Sequence, residues 1–354
     1  MKNNRLLASF VVVFLIAIQS CVAQNATINT TLQLDTNNTT NNFFDNFEIL
    51  SLKYSDIYID GEISNPGIVD FSKLQLRDII VKETVLENGE YKFTGAFRYI
   101  GYSLADILNP YILAKLNSEA FPPLIDLYVE IENDKGEKAV FSWGEIYYAN
   151  RMHDIIIATG VSGIIPDKPK EIWVLPEQAK LVVGNDLITA RNIGNPVKIT
   201  VKSWANNDIE IIKGKKPLFS PKIDIFKEEK IIKTLTAESD FSKSKTLHTI
   251  FYGKGRGLYS TKLFTGLSMK DVLSDIQDLN SANIKNSLVV VVADDGYRTV
   301  YSYSELCNRN DQSEVLLICN PELTDNGIFK LFPSCDFSSD RAIKAISIIY
   351  LINI

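Results

Sequence analysis

The stretch Asp134–Ile146 returns 160 residues later as Asp294–Leu306, with Asp, Gly, Val, Ser and Glu recurring at matching places. Each copy reads as a strand, a tight Asp/Gly turn, a second strand and a helix start. Gly136 and Gly296 supply the positive-φ residue that a tight hairpin requires. Ser142 with Glu145, and Ser302 with Glu305, then spell a capping box: the hydroxyl takes an orphan N–H and the carboxylate reaches back. Two such boxes in register indicate an internal duplication.

Flanking elements repeat in the same order. Gly101–Leu108 reads as a strand end and a Ser103-capped helix with Asp106 in its first turn, and Gly266–Leu273 matches it. Strands expected at Leu124–Ile131 and Ile155–Ala158 return at Leu288–Ala293 and Val315–Ile318. Leu181, Asp186 and Arg191 match Leu331, Asp336 and Arg341, and Val197–Val201 matches Ser347–Leu351. Further strands are expected at Ile57–Ile63 and Trp173–Pro176. The offset falls from 165 through 160 to 150, as loop-length changes produce. Many short strands and few long helices predict an α+β class with two tandem mixed α/β domains. Their expected bounds are 47–205 and 206–354, after a signal peptide at 1–23 and an Asn/Thr-rich spacer at 24–46.

The first residues carry Lys2 and Arg5 before the apolar run Leu6–Ile18, the pattern of an export signal. Two endings compete: a lipoprotein signal that would acylate Cys21, and a plain signal-peptidase site at Cys21-Val22-Ala23. The expected location is the periplasm or cell envelope, with or without a lipid anchor in the outer membrane. A net charge of −6 argues against a nucleic-acid surface, which needs a basic face. Cys307, Cys319 and Cys335 all fall in the second half, and a Cys307–Cys319 bridge is conceivable.

Asp60–Gly67 with Phe71–Leu74, Gly101–Leu108, Asp295-Gly296-Tyr297 and Leu181–Ile199 together resemble, in their order, the sulfite-oxidase-type molybdopterin-binding domain. The resemblance spans most of 55–203 and, more loosely, 240–351. It implies a molybdenum–pterin oxidoreductase whose metal is held by a cysteine thiolate. Thr249 stands where that cysteine is expected, and Thr84 is the nearest match in the first half. A hydroxyl does not replace a soft thiolate, so the expected catalytic and metal residues are none. The resemblance places cofactor-binding roles on Arg191, Arg341, Lys344, His248, Thr249 and Arg256. The competing and favoured reading of the two arginines is that they pair with Asp186 and Asp336 or simply face water.

The expected function is therefore an exported binding or interaction module. Its partner would be an envelope protein or a small anionic ligand, with no cofactor or, by the resemblance, molybdopterin. The alternative is a molybdopterin-dependent oxidoreductase with an atypical metal site. A pocket lined by His248, Thr249, Arg256, Arg341 and Lys344 would favour ligand binding, and an apolar interface between the copies would favour a scaffold.

Overall fold

Leu288–Ala293 is apolar at every position, a pattern expected of a strand covered on both faces. In the computed structural model this run lies in a fully buried strand, and its alternate side chains enter two different apolar clusters. The structure describes residues 48–164, 173–205, 209–253, 257–323 and 326–354. The expected signal peptide, the spacer, Cys21 and Arg256 lie outside them.

Four sheets form a four-bladed β-propeller. Blade 1 joins β1 (Leu50–Ser51), β4 (Leu76–Glu87), β5 (Glu90–Ser103), β8 (Ile155–Gly163) and β9 (Lys180–Val183). Blade 2 joins β2 (Tyr58–Gly61), β3 (Gly67–Ile68), β6 (Leu127–Asn133), β7 (Lys138–Ser142) and β10 (Pro196–Ser203). Blade 3 runs in the order β12 (Lys230–Thr236), β11 (Lys222–Lys227), β19 (Ile346–Asn353), β15 (Ser287–Ala293) and β16 (Arg298–Ser302). Blade 4 runs in the order β13 (Lys245–Gly253), β14 (Gly257–Ser268), β17 (Val315–Cys319) and β18 (Phe329–Pro333).

Each blade draws its strands from one half of the sequence, and the halves follow the same path. In blade 2 the order β3–β2–β10–β6–β7 corresponds strand for strand to blade 3, including one parallel pair in each, β2/β10 and β11/β19. The path β4–β5–β8–β9 of blade 1 corresponds likewise to blade 4. Gly136 and Gly296 turn their hairpins at φ +78° and +79°, as the Asp-x-Gly pattern requires.

The α+β, sulfite-oxidase-like expectation is overturned. The described residues are 48% strand and 12% helix, and their five α-helices are single turns of five or six residues: α1 (Leu104–Leu108), α2 (Trp143–Tyr147), α3 (Met269–Leu273), α4 (Ser281–Asn286) and α5 (Tyr303–Cys307). Ser103, Ser142, Ser268 and Ser302 cap four of them as their sequences suggest. A cap starts a helix without setting its length, and α1 stops at Asn109-Pro110, where proline cannot continue it. Strand expected at Trp173–Pro176 is irregular chain instead, held by the Trp173 indole N–H donating to the Ile164 carbonyl at 2.6 Å.

Two kinds of contact join the halves. Apolar faces of blades 2 and 3 meet in one cluster, with Tyr128 and Val140 from the first and Leu288, Val290, Val292 and Val300 from the second. Reciprocal backbone pairs add to it. Leu187 N–H donates to the Asn308 carbonyl and Phe337 N–H to the Tyr148 carbonyl, both at 2.7 Å. Asn310 N–H donates to Asn185 at 2.9 Å and Asn150 N–H to Cys335 at 3.0 Å, so each half clasps the turn after the other's helix.

Candidate functional site

Between the two capped turns lies a buried network of charge. Arg191 grips Asp186 with two parallel bonds of 2.8 Å, and Arg341 grips Asp336 at 2.7 and 2.6 Å. Such bidentate forks are the strong form of the pair. The remaining guanidinium nitrogen of each arginine turns to the capping glutamate of its own half, Glu145 at 2.7 Å and Glu305 at 3.0 Å. Each guanidinium also stacks on an aromatic ring, Arg191 on Phe141 at 4.4 Å and Arg341 on Tyr301 at 4.2 Å.

Each serine caps its own helix through the backbone N–H, and its hydroxyl proton goes to the glutamate of the other half. Ser142 Oγ donates to Glu305 Oε1 at 2.5 Å, and Ser302 Oγ donates to Glu145 Oε2 at 3.0 Å. Only α5 completes its own box, with Ser302 N–H donating to Glu305 at 2.8 Å. Arg191 and Arg341 are 1% and 0% exposed, so both are occupied within the protein rather than offered to a ligand.

Four carboxylates face two guanidiniums here. Burial pushes the Glu145 carboxyl up to about 7, with Glu305 and Asp186 adding to the shift and Arg191 opposing it. Because the folded pKa lies above the unfolded value near 4.5, folding binds a proton between those two pH values. Stability from this group is therefore fully present below about pH 4.5 and is lost as pH rises from there through about 7, by up to about 3 kcal/mol. Urea titrations at pH 5, 6, 7 and 8 should show this decline, and Glu145→Gln should flatten it. A pH-independent wild type would refute the assignment.

The other expected ligand residues do not converge on these arginines. His248 is exposed on edge strand β13, while its neighbour Thr249 is half-buried and paired in register with Lys262. Lys344 is exposed beside Lys330. Cys307, Cys319 and Cys335 are free thiols, and burial pushes Cys307 and Cys335 up to about 12.

A second cluster, absent from the expectations, opens to solvent. Asp126 is fully buried and meets Lys115 Nζ at 2.9 Å, the Asn117 amide at 2.9 Å and Arg298 Nε at 3.5 Å. Burial pushes Asp126 up and Lys115 down, while their mutual contact works against both shifts. Arg298 is held between the rings of Phe121 at 4.9 Å and Trp204 at 5.3 Å. It is 3% exposed, yet its two terminal nitrogens meet no hydrogen-bond acceptor among the described residues.

Arg298 lines a cleft of about 450 Å³ together with Asn117, the exposed Glu119, Ala120, Ala205, Ile209, Ile211 and Lys213. Its terminal nitrogens reach the solvent of the cleft, where an anion would take the place of water. The equivalent residue 160 positions earlier, Lys138, is half-exposed and reaches Glu130 at 3.4 Å, so the matching position in the first half holds no buried guanidinium. Lys138 and Arg298 open matching strands, and arginine offers a planar fork where lysine offers a point charge.

A second groove, of about 860 Å³, adjoins the cleft at Ala205, which lines both. Along it run three rings, Phe226 to Tyr350 at 5.2 Å between centroids and Tyr350 to Trp204 at 5.7 Å. No helix among the described residues is long and apolar enough to cross a membrane. The molybdopterin resemblance fails with the fold, and in accord with that no family model matches the chain and no curated protein is similar to it in sequence.

Proposed function

We propose that this is a binding protein whose ligand presents an anionic group to Arg298 in the cleft between the halves. The observation that carries the reading is the Arg298 guanidinium. It is almost wholly buried and held by two rings, with its terminal donors uncommitted toward a cleft. A planar fork preorganised in this way suits a carboxylate or phosphate, and Lys213 at the rim adds charge of the same sign. Arg298 needs no movement to meet an anion, because Asp126 and the two rings already hold it. Aliphatic walls at Ile209 and Ile211 favour an anion that carries an apolar body.

The test is calorimetric titration with N-acetylvaline, acetate and inorganic phosphate. At least one should bind, and Arg298→Lys should weaken it tenfold or more, because an ammonium cannot reproduce the fork. Binding unchanged in that variant, or no binding of any of the three, would remove the proposal.

A further inference from the structure

Resting on that reading of Arg298, we infer that the ligand is an extended peptide that places its C-terminal carboxylate on Arg298 and runs back along the aromatic groove. The two clefts adjoin at Ala205, and Trp204 serves both, lining the groove while stacking on Arg298. A ligand long enough to leave the Arg298 cleft therefore passes directly onto Trp204, Tyr350 and Phe226.

Three features favour a peptide. Next to the guanidinium the walls are Ala120, Ala205, Ile209 and Ile211, which suit one apolar side chain beside a terminal carboxylate. The aromatic row beyond suits proline, aromatic or aliphatic side chains. At the far end the groove is bounded by Glu228 and Glu229, which suit a basic residue. Lys227 also lines it, but its ammonium is turned to the Ile276 carbonyl at 3.4 Å. Arg298 and Lys213 thus stand at one end of the path, beside the exposed Glu119, and the two glutamates at the other. That matches a peptide with an acidic terminus and a basic residue several positions before it.

The glutamates themselves are unusual. They form the two-residue turn between β11 and β12 with φ +49° and +63°, where Asn-Gly is the unstrained choice. Carboxylates kept in that conformation fit a role for the side chains rather than for the turn.

The experiment uses fluorescein-labelled Lys-Gly-Tyr-Pro-Ala-Val as the free acid, the same peptide as its C-terminal amide, and an acidic oligogalacturonate, with N-acetylvaline as competitor. We expect the free acid to bind at least tenfold more tightly than N-acetylvaline, and the amide at least tenfold more weakly than the free acid. Glu228→Lys combined with Glu229→Lys should weaken the peptide fivefold or more while leaving N-acetylvaline unchanged. Phe226→Ala should act in the same direction. If N-acetylvaline binds through Arg298 but the peptide gains nothing over it, the peptide inference fails and the anion site stands. Equal binding of acid and amide overturns the inference, and so does tight binding of oligogalacturonate without the peptide. If neither the carboxylate nor the peptide binds, the site and the inference fall together.

Discussion

Arg341→Ala should cost about 3–5 kcal/mol of stability, the scale set by removing one partner from a buried ion pair. Arg341 is fully buried, and its loss strands Asp336 and Glu305, which are buried with it. The damage should also cross between halves, because Arg341 donates to Ser142 Oγ at 3.1 Å in the first half. Chemical denaturation followed by circular dichroism measures it. The expected record is a large fall in midpoint, or separate melting of the two halves in place of one transition. Adding Asp336→Asn and Glu305→Gln should recover part of the loss, since most of it is the cost of leaving carboxylates uncompensated. A fall below about 1 kcal/mol would mean that the network is solvated and contributes as little as a surface pair.

Gly144→Ala should destabilise by about 2–3 kcal/mol, although alanine is the better helix former by about 1 kcal/mol. Gly144 sits in α2, and a Cβ there would lie 2.3 Å from both Cζ and Nε of Arg341. Arg341 cannot withdraw, because Asp336, Glu305, Ser142 and the Tyr301 ring hold it from every side. Gly194→Ala is the control, since no atom lies within 4 Å of a Cβ at that exposed position. The diagnostic is coupling: in an Arg341→Ala background the Gly144→Ala penalty should largely vanish. Equal penalties in both backgrounds would show that the side chain of Arg341 is not what excludes Cβ.

Local chemistry was legible in the sequence where it depends on neighbours in the chain. Ser103, Ser142 and Ser302 cap their turns, and Gly136 and Gly296 take positive φ, because those outcomes are decided within a few residues. The pairing of Arg191 with Asp186 and of Arg341 with Asp336, each five residues away, is local in the same sense. Asn88-Gly89 was equally local, a two-residue turn with φ +53° and +83°, and it is the signal that should have revealed the long β4–β5 hairpin. Without that hairpin and its counterpart β13–β14, the remaining short strands and helix starts fit a mixed class as well as a β-propeller. The crossed serine–glutamate bonds could not be read, because Ser142 and Glu305 are 163 residues apart and either glutamate could close its own box. Arg298 was hidden for the same reason: its partners come from two distant segments, Phe121 with Asp126, and Trp204.

The reciprocal clasp has a consequence for how the two halves can change over evolutionary time. Contacts in which one partner's serine meets the other's glutamate, and the reverse, have the geometry of a twofold homodimer interface. In a true homodimer every substitution appears on both sides at once, so a residue good for one face and harmful to its twin is eliminated. Fusion into one chain lifts that constraint. Position 144 can stay glycine under Arg341 while its counterpart, Ser304, donates to Asp186 at 3.1 Å. Position 138 can stay a half-exposed lysine while its counterpart becomes the buried Arg298. A chain built on two equal halves is thus free to keep one as support and specialise the other.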